Sequence, residues 1–356
     1  MKTILVVGGG TAGHVLPTIP IIERLLDSGY RVEFIGSRSG LEESLLKNID
    51  INFSSIPTGK LRRYFSFQNV LDFFRFCLGI IHALFIVHRL KPKVVFSKGG
   101  FVALPVVLAA WFLKVPVLAH ESDRTPGLAN RISLRFVKTY CTSFPIENSV
   151  TSNSRVVYTG SPLRSEILFS EAARGKKVLN FSDKKPILVI TGGSLGSEFI
   201  NKNIRAILED LLEVFNVLHV CGLGNSLSLD YNGYKQVEYV SENWGHMLAA
   251  ADLVVSRAGA NAIFELLALQ KVCIFVPLSR KVSRGDQISN AQYVVENNLG
   301  EVLDEETLTP DSFLEMILRT YRNREKQAKF LKSYSKLDAS SVIYDEILAL
   351  MDNRLD

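Results

Sequence analysis

Two strand-like runs that each end in a cluster of glycines constrain this chain more than any other feature. Ile4-Leu5-Val6-Val7 leads into Gly8-Gly9-Gly10-Thr11-Ala12-Gly13-His14, and the run 186–191 leads into Gly192-Gly193-Ser194-Leu195-Gly196. A short, unbroken stretch of β-branched residues and leucine is the pattern of a parallel strand buried on both faces. The glycines mark a turn, and apolar residues at helical spacing follow: Ile21, Ile22, Leu25 and Leu26 after the first, and the segment 200–215 after the second. Strand, glycine turn and helix together make an anion site, because residues without a Cβ let backbone amides and the positive end of a helix approach a phosphate. The spacing Gly8-x-Gly10-x-x-Gly13 also meets the dinucleotide-binding pattern. One such loop is a weak signal, since many α/β folds turn on glycine there. Two in tandem imply two α/β domains whose ligands bind beyond the carboxyl ends of the strands.

The rest of the chain fits that plan. Strand patterns over 3–7, 31–35, 51–55, 94–97, 115–119 and 138–142 alternate with helical ones over 15–27, 41–47, 105–113 and 129–136. This alternation implies right-handed βαβ units. The segment 171–185 is polar, shows no apolar period, and reads as a linker or excursion. Further strands are expected over 186–191, 216–221, 237–240, 253–256 and 272–276. A length of 356 residues suits two domains, expected at 1–163 and 164–335, with a last helix within 336–356 returning to the first.

Composition excludes several classes. The four cysteines (Cys77, Cys141, Cys221, Cys273) are scattered without a CxxC and read as reduced, buried thiols of a cytosolic protein. A net charge of +5 permits an anionic partner, but no nucleic-acid module is present and no nucleic-acid partner is expected. The start of the chain reads as a first strand and not as a signal peptide. Pro105 and Pro116 break the apolar stretch 101–119 into a helix and a strand, and the apolar run 76–87 is short of the ~20 residues that span a bilayer. No Asp-x-Asp, HExxH or Cys/His cluster occurs, so no metal site and no cofactor is expected. Any phosphate charge then falls to amides, helix ends and arginines.

Four constellations carry chemistry. In Ser256-Arg257-Ala258-Gly259-Ala260-Asn261-Ala262-Ile263-Phe264-Glu265, a strand ends, a small-residue turn follows, and Glu265 sits on the helix beyond. A carboxylate there can accept both hydroxyls of a ribose while the turn amides meet phosphate, or it can be a solvated helix residue. The polar loop 279–291 leads through Gly285-Asp286-Gln287 into a helix; Asp286 suits an N-cap, and loops of this kind often line sites. His120-Glu121-Ser122-Asp123 follows a buried strand, as a capped turn or as polar groups on the strand-end face that His14 occupies. Arg164, after Gly160-Ser161-Pro162, suits a phosphate contact or an ion pair. The segment 60–93 interleaves Lys60, Arg62, Arg63, Arg75, Arg89, Lys91 and Lys93 with Tyr64, Phe65, Phe67, Phe73, Phe74, Phe76 and Phe85. One stripe (Val70, Phe74, Cys77, Ile81, Leu84) can pack inward. The remainder suits a partner or a bilayer interface with basic residues at the head groups, or a fully buried helix with a basic end.

Taken in order, these motifs resemble the bacterial MurG family over nearly the whole chain. The resemblance rests on the opening loop through His14, Ser97-Lys98-Gly99-Gly100-Phe101, His120-Glu121-Ser122-Asp123, Gly160-Ser161-Pro162-Leu163-Arg164, the second glycine turn, the segment from Ser256 to Glu265, and Gly285-Asp286-Gln287. Ala12 stands where the family often has glycine, and Asp123 where some members have asparagine. The resemblance implies a GT-B glycosyltransferase of two Rossmann-like domains with parallel sheets facing a central cleft. It implies an inverting transfer of N-acetylglucosamine from UDP-N-acetylglucosamine to the C4 hydroxyl of an undecaprenyl-diphosphate-linked muramoyl-pentapeptide (lipid I), giving lipid II for peptidoglycan. The second domain would hold the donor. Glu265 would take the ribose, Ser194 and the turn Arg257, Ala258, Gly259 and Ala260 the diphosphate and uridine, Val240 the uracil through its backbone, and Gln287 the sugar hydroxyls. Thr11, Ala12 and Gly13 would face the acceptor diphosphate and the transferred sugar, with Asp123 and Arg164 also at the substrates. His14 is the expected base, Glu121 a second candidate, and domain closure would exclude water. Phe73, Phe74, Phe85 and Arg75 would meet an anionic inner-membrane surface, making the protein peripheral on the cytoplasmic side.

Two rival readings stand beside it. An NAD(P)-dependent oxidoreductase would use Gly8-x-Gly10-x-x-Gly13 with Glu33 for the ribose and Ser37-Arg38-Ser39 for a 2′-phosphate, but Glu33 falls inside its strand and a second glycine-turned domain is left over. A non-catalytic membrane-docked protein would explain 60–93 but not the polar loops.

Overall fold

The structure is a computed structural model that describes residues 2–38, 40–59, 67–146, 154–181, 184–193, 196–240, 242–334 and 338–352. The chain divides into two compact units, Met1–Arg164 with Leu337–Asp356, and Ser165–Lys336.

Among the described residues of the first unit, seven strands form a sheet: β1 (Thr3–Val7), β2 (Arg31–Ser37), β3 (Asn52–Ile56), β4 (Val94–Ser97), β5 (Val117–Glu121), β6 (Thr139–Thr142) and β7 (Arg155–Tyr158). Every pairing is parallel, in the order β3-β2-β1-β4-β5-β6-β7. The strands sort their side chains by parity. Ile4 and Val6 join one core with Val32, Phe34, Val94, Phe96 and Leu118, whereas Leu5 and Val7 join the other with Ile35, Val95, Val117 and Ala119. A period of two with both faces apolar is what a sheet covered by helices on each side requires. The first face is covered by the helix Ile19–Asp27 and, from the far end of the chain, by the helix Ala339–Met351 through Ile343, Ile347 and Leu350. That late helix is also tied by Arg155 to Glu346 at 2.6 Å and by the Tyr344 hydroxyl donating to Ser28 Oγ at 2.9 Å.

Several local expectations are corrected. The helix expected over 15–27 is divided into Ala12–Val15, a 3-10 turn Leu16–Thr18 and Ile19–Asp27, as Pro17 and Pro20 supply no N–H to a continuous ladder. His120 and Glu121 lie in β5 and not in the loop after it. The apolar run 76–87 belongs to a helix of 24 residues, Phe67–Leu90; by length and composition alone its segment Leu71–Leu90 suffices to cross a membrane. Its inward face is not the expected stripe. Gly79, Ala83, Ile86 and Val87 are buried, while Phe74 and Ile81 are each 59% exposed to solvent. A Cβ on Gly79 would sit 2.5 Å from the Pro57 carbonyl oxygen, so the helix approaches closely through Gly79 and Ala83, beside Ile86 and Val87, while Phe74 and Ile81 face outward. Leu71, Phe73, Phe74, Leu78, Ile81 and Phe85 thus form an exposed apolar surface. Trp111 and Phe112, on the neighbouring helix Ala103–Phe112, are exposed as well. Arg89 lies over the Phe85 ring, 5.9 Å from its centroid. Lys60, Arg62, Arg63, Tyr64 and Phe65 lie outside the described residues, as does the Val70 side chain.

The second unit repeats the plan with β8 (Ile187–Thr191), β9 (Asn216–Val220), β10 (Tyr234–Val237), β11 (Leu253–Ser256), β12 (Cys273–Phe275) and β13 (Glu301–Val302). The described strands pair in parallel in the order β10-β9-β8-β11-β12-β13. The supposed linker 171–185 contains a helix, Ala172–Leu179. It packs on the helix Trp244–Ala250, so closely that a Cβ on Gly175 would lie 1.9 Å from the His246 carbonyl oxygen. A contact face built on glycine shows no apolar period.

The second unit also buries a polar chain of contacts. His219 is fully buried in β9, with Nε2 2.8 Å from Asn201 Oδ1 and Nδ1 2.9 Å from the Tyr234 hydroxyl. Burial, aided by the nearby Arg205 charge, lowers its pKa from 6.5 to about 4. The unfolded chain therefore binds this proton more readily, and stability falls as pH drops from about 6.5 towards 4, by on the order of 3 kcal/mol from this residue. In urea titrations followed by circular dichroism, His219→Gln is expected to be less stable at pH 7 and to lose less stability than the parent between pH 6.5 and 4.

Candidate active site

The polar loops of the first unit gather at the carboxyl edge of its sheet, after β1, β4 and β5. Val7 pairs with Ser97 and Ser97 with Ala119, so the turns 8–13, 98–100 and 122–127 are neighbours. The first two interlock. Gly10 has φ +90°, and a Cβ there would stand 2.4 Å from the Phe101 ring. Gly100 has φ +84°, and its Cβ would lie 2.0 Å from the Gly9 carbonyl oxygen and 3.2 Å from His14 Cδ2. Only glycine fits either place, and the His14 ring is thereby lodged beside the second turn. Its backbone N–H donates to the Thr11 carbonyl at 3.1 Å. Thr11 is exposed and Ala12, Gly13 and His14 are half-buried.

Not every amide of the first loop is left for a ligand. Gly10 N–H donates to Glu42 Oε1 at 2.9 Å, and the same carboxylate accepts from the Ser37 hydroxyl at 3.1 Å. Glu42 is buried and acts as a resident anion in the loop. Its position in sequence, on a short helix after β2, gave no hint of this.

Beyond β5, Glu121 is 2% exposed and accepts from Asp123 N (3.1 Å), Gly127 N (3.2 Å) and Asn130 Nδ2 (2.7 Å). Its carboxylate shapes the loop that carries Asp123. His120 is fully buried, with Nε2 3.0 Å from the Gly160 carbonyl oxygen. Burial and the neighbouring Lys98 charge keep its pKa well below the usual imidazole range, so the neutral ring donates to that carbonyl and ties β5 to the turn before Arg164. Lys98 is fully buried too and donates to Ser122 Oγ. Burial lowers its pKa to about 8, against the opposing pull of Glu121 and Asp123. Sequence reading gave Lys98 no role; a lysine between a buried strand and a glycine pair was the available signal. Glu33, the ribose ligand of the oxidoreductase reading, is buried within β2 and accepts from Arg31 Nε (2.8 Å) and Asn52 Nδ2 (3.0 Å). It is a structural carboxylate inside the sheet.

The second unit builds its own carboxyl edge. Ser256, the last residue of β11, pairs with Thr191 of β8 and Phe275 of β12. The turn after it enters the nine-residue helix Ala260–Ala268 at Gly259, and no side chain caps that start. Uncapped amides at a helix start are suited to phosphate. Ala258 is held from behind, where Asn290 Nδ2 donates to its carbonyl at 3.2 Å. Glu265 is half-buried one turn along the same helix. The Arg257 side chain does not share the role of its turn: it is 7% exposed and its guanidinium is bound by Glu305 at 3.0 Å on each nitrogen.

Gln287 is in the first turn of the helix Asp286–Glu296, and its Oε1 accepts from Leu278 N at 3.1 Å, which leaves the amide nitrogen as its donor. Gly285 is the residue at the helix cap, and Asp286 pairs with Arg284 at 3.3 Å instead. Val240 is half-buried three residues beyond β10, Arg164 is half-buried at the end of the first unit's main segment, and Ser194 lies outside the described residues. Among the described residues no group of three or more His, Cys, Asp or Glu side chains is placed to hold a metal ion.

Comparison with known proteins gives this arrangement a family. The glycosyltransferase family 28 N-terminal domain matches residues 4–142 and the family 28 C-terminal domain matches residues 187–343. A UDP-N-acetylglucosamine--N-acetylmuramyl-(pentapeptide) pyrophosphoryl-undecaprenol N-acetylglucosamine transferase of Clostridium tetani is 47% identical, covering 97% of each chain. The protein of the same name from Geobacillus kaustophilus is 44% identical, over 99% of this chain and 98% of its own. Among solved structures, Acinetobacter baumannii MurG superposes with a TM-score of 0.76 at 26% identity, covering 98% of this chain and 99% of that one. This chain therefore belongs to glycosyltransferase family 28, as a MurG-type enzyme with two GT-B Rossmann-like domains.

Proposed function

We propose that this protein transfers N-acetylglucosamine from UDP-N-acetylglucosamine to the C4 hydroxyl of the muramoyl sugar of lipid I, with inversion, to give lipid II. The observation that carries the reading is the 47% identity over 97% of the chain to a transferase of that name. The geometry supports a division of labour. The second unit takes the donor. Its uncapped helix start at Gly259 meets the diphosphate as charge grows on departing UDP. Glu265 accepts the ribose hydroxyls, the Val240 backbone meets the uracil, and the Gln287 amide donates to the sugar. Ser194 and the Arg257–Ala260 backbone complete the diphosphate contacts.

The first unit takes the acceptor through Thr11, Ala12 and Gly13, with Asp123 and Arg164 at the substrates. His14 removes the hydroxyl proton, a task imidazole performs at neutral pH. Glu121 is the weaker base, because three donors already occupy its carboxylate. Phe73, Phe74 and Phe85, with Arg75 beside them and Trp111 and Phe112 on the adjoining helix, meet the anionic cytoplasmic surface of the inner membrane. Their exposure of 63%, 59%, 65%, 55% and 70% for the five aromatic residues is a large apolar area for a water-facing surface. The protein is then peripheral, docked where its lipid-linked acceptor resides.

Three outcomes are expected. UDP-N-acetylglucosamine raises the melting temperature and NADPH does not; the reverse result restores the oxidoreductase reading. His14→Ala binds the donor with unchanged affinity and loses about 10²–10⁴-fold in turnover with a lipid I analogue; retained turnover removes His14 as the base. Phe73→Ser, Phe74→Ser and Phe85→Ser combined abolish sedimentation with vesicles containing anionic lipid while circular dichroism stays unchanged; undiminished sedimentation places the membrane contact elsewhere.

A further inference from the structure

Among the described residues of the second unit, the buried Arg257 guanidinium joins several loops, and its side chain has no part in the reaction described above. Arg257 Nη1 donates to the Val276 carbonyl (3.1 Å), the Pro277 carbonyl (3.4 Å) and Glu305 Oε2 (3.0 Å). Its Nη2 donates to Ser197 Oγ (2.6 Å) and Glu305 Oε1 (3.0 Å). Ser197 is the N-cap of the helix Glu198–Ala206, where its Oγ accepts from Ile200 N. One guanidinium thus joins the loops that follow β8, β11, β12 and β13.

Glu305 is the other half of this joint. It follows β13, whose register continues through Leu303 N–H donating to the Phe275 carbonyl at 2.9 Å. Besides the two guanidinium bonds, its Oε2 accepts from Ser279 N at 3.1 Å. The Arg257 and Glu305 side chains are 8% and 13% exposed, so the pair is largely withdrawn from water and each charge requires the other. The adjacent Glu306 accepts from Ser279 Oγ at 2.6 Å and lies 3.4 Å from Lys281. The start of the loop 278–285 is therefore moored to the end of β13, and Leu278 in that same start donates its N–H to Gln287.

We propose that Glu305 is a positioning residue for the nucleotide sugar: by clamping Arg257 and the Ser279 amide together, it fixes the turn 257–259 and the loop leading to Gln287 in one relative arrangement. The inference rests on the donor assignment above and deepens it. Glu305 touches no substrate. It sets the spacing between the groups assigned to the diphosphate and to the sugar, so its loss falls on donor affinity and not on the acceptor. Removing its charge also leaves the Arg257 cation buried without its counter-ion.

The test is donor binding by calorimetry together with a kinetic split for the full-length wild type, Glu305→Gln, Glu305→Asp and the double variant Arg257→Met/Glu305→Gln against Arg257→Met. Glu305→Gln is expected to raise both the donor Kd and the donor KM about tenfold or more, as for loss of a charged hydrogen-bond partner. The lipid I KM should stay within about twofold, Glu305→Asp should recover part of the affinity, and the double variant should bind no worse than Arg257→Met alone. Equal donor binding by wild type and Glu305→Gln overturns the proposal, as does an equal rise in both KM values. Wild-type protein that fails to bind UDP-N-acetylglucosamine overturns the donor assignment itself, and the proposal with it.

Discussion

A parallel strand buried on both faces has only one place to present chemistry, which is its end. Every side chain along β1, from Ile4 to Val7, is consumed by one core or the other. The same holds for the wholly buried β8 and β11. Ligand-facing groups are thus forced into the turns at the carboxyl edge, where backbone amides emerge without ladder partners and the next helix begins. The fold supplies that edge twice, once in each unit, and the two sets of loops are chemically different.

In the first unit the edge is organised by acids and a buried lysine. Glu42 occupies the Gly10 amide, Glu121 gathers the loop 122–127, and Lys98 holds Ser122. In the second unit a single arginine, neutralised by Glu305, spans four loops. Buried charges of this kind are costly unless they are hydrogen-bonded or paired: Glu42, Glu121 and Lys98 are each hydrogen-bonded, and Arg257 is also paired with Glu305. Their common product is fixed loop geometry: His14 lodged against the Gly100 turn, and an open helix start at Gly259. Catalysis by preorganised dipoles depends on such fixed geometry more than on the number of polar groups.

How much of this the sequence discloses follows from the distance over which each feature acts. The strand–turn–helix units were legible because their signals are local: an apolar run, then glycine, then a helical period. His14, Glu265 and Gln287 stand out as candidates because each lies within a turn of such a signal. Glu42 was not, since it is 32 residues from the Gly10 amide it fills, and Glu305 was not, since it is 48 residues from Arg257. Packing through small residues is hidden in the sequence for a different reason. Gly79 and Ala83 face inward on the long helix, and Gly175 lies at a helix crossing. Reading by hydrophobicity assigns the inward face to the bulky residues, whereas close backbone approach assigns it to the residues with least side chain.

The helix Ala339–Met351 has a bearing on how the chain is made. It seals one face of a sheet whose first strand is formed by residues 3–7. During synthesis the first unit emerges with Ile21, Ile22 and Leu25 lacking their final cover, and the whole of Ser165–Lys336 must follow before that cover arrives. The second unit, contiguous in sequence, meets no such delay. Vectorial translation at ~5–20 residues per second holds the early face open for about ten to forty seconds. Over that interval the face stays uncovered, and a helix made after the whole of the second unit completes a core that the first strands began.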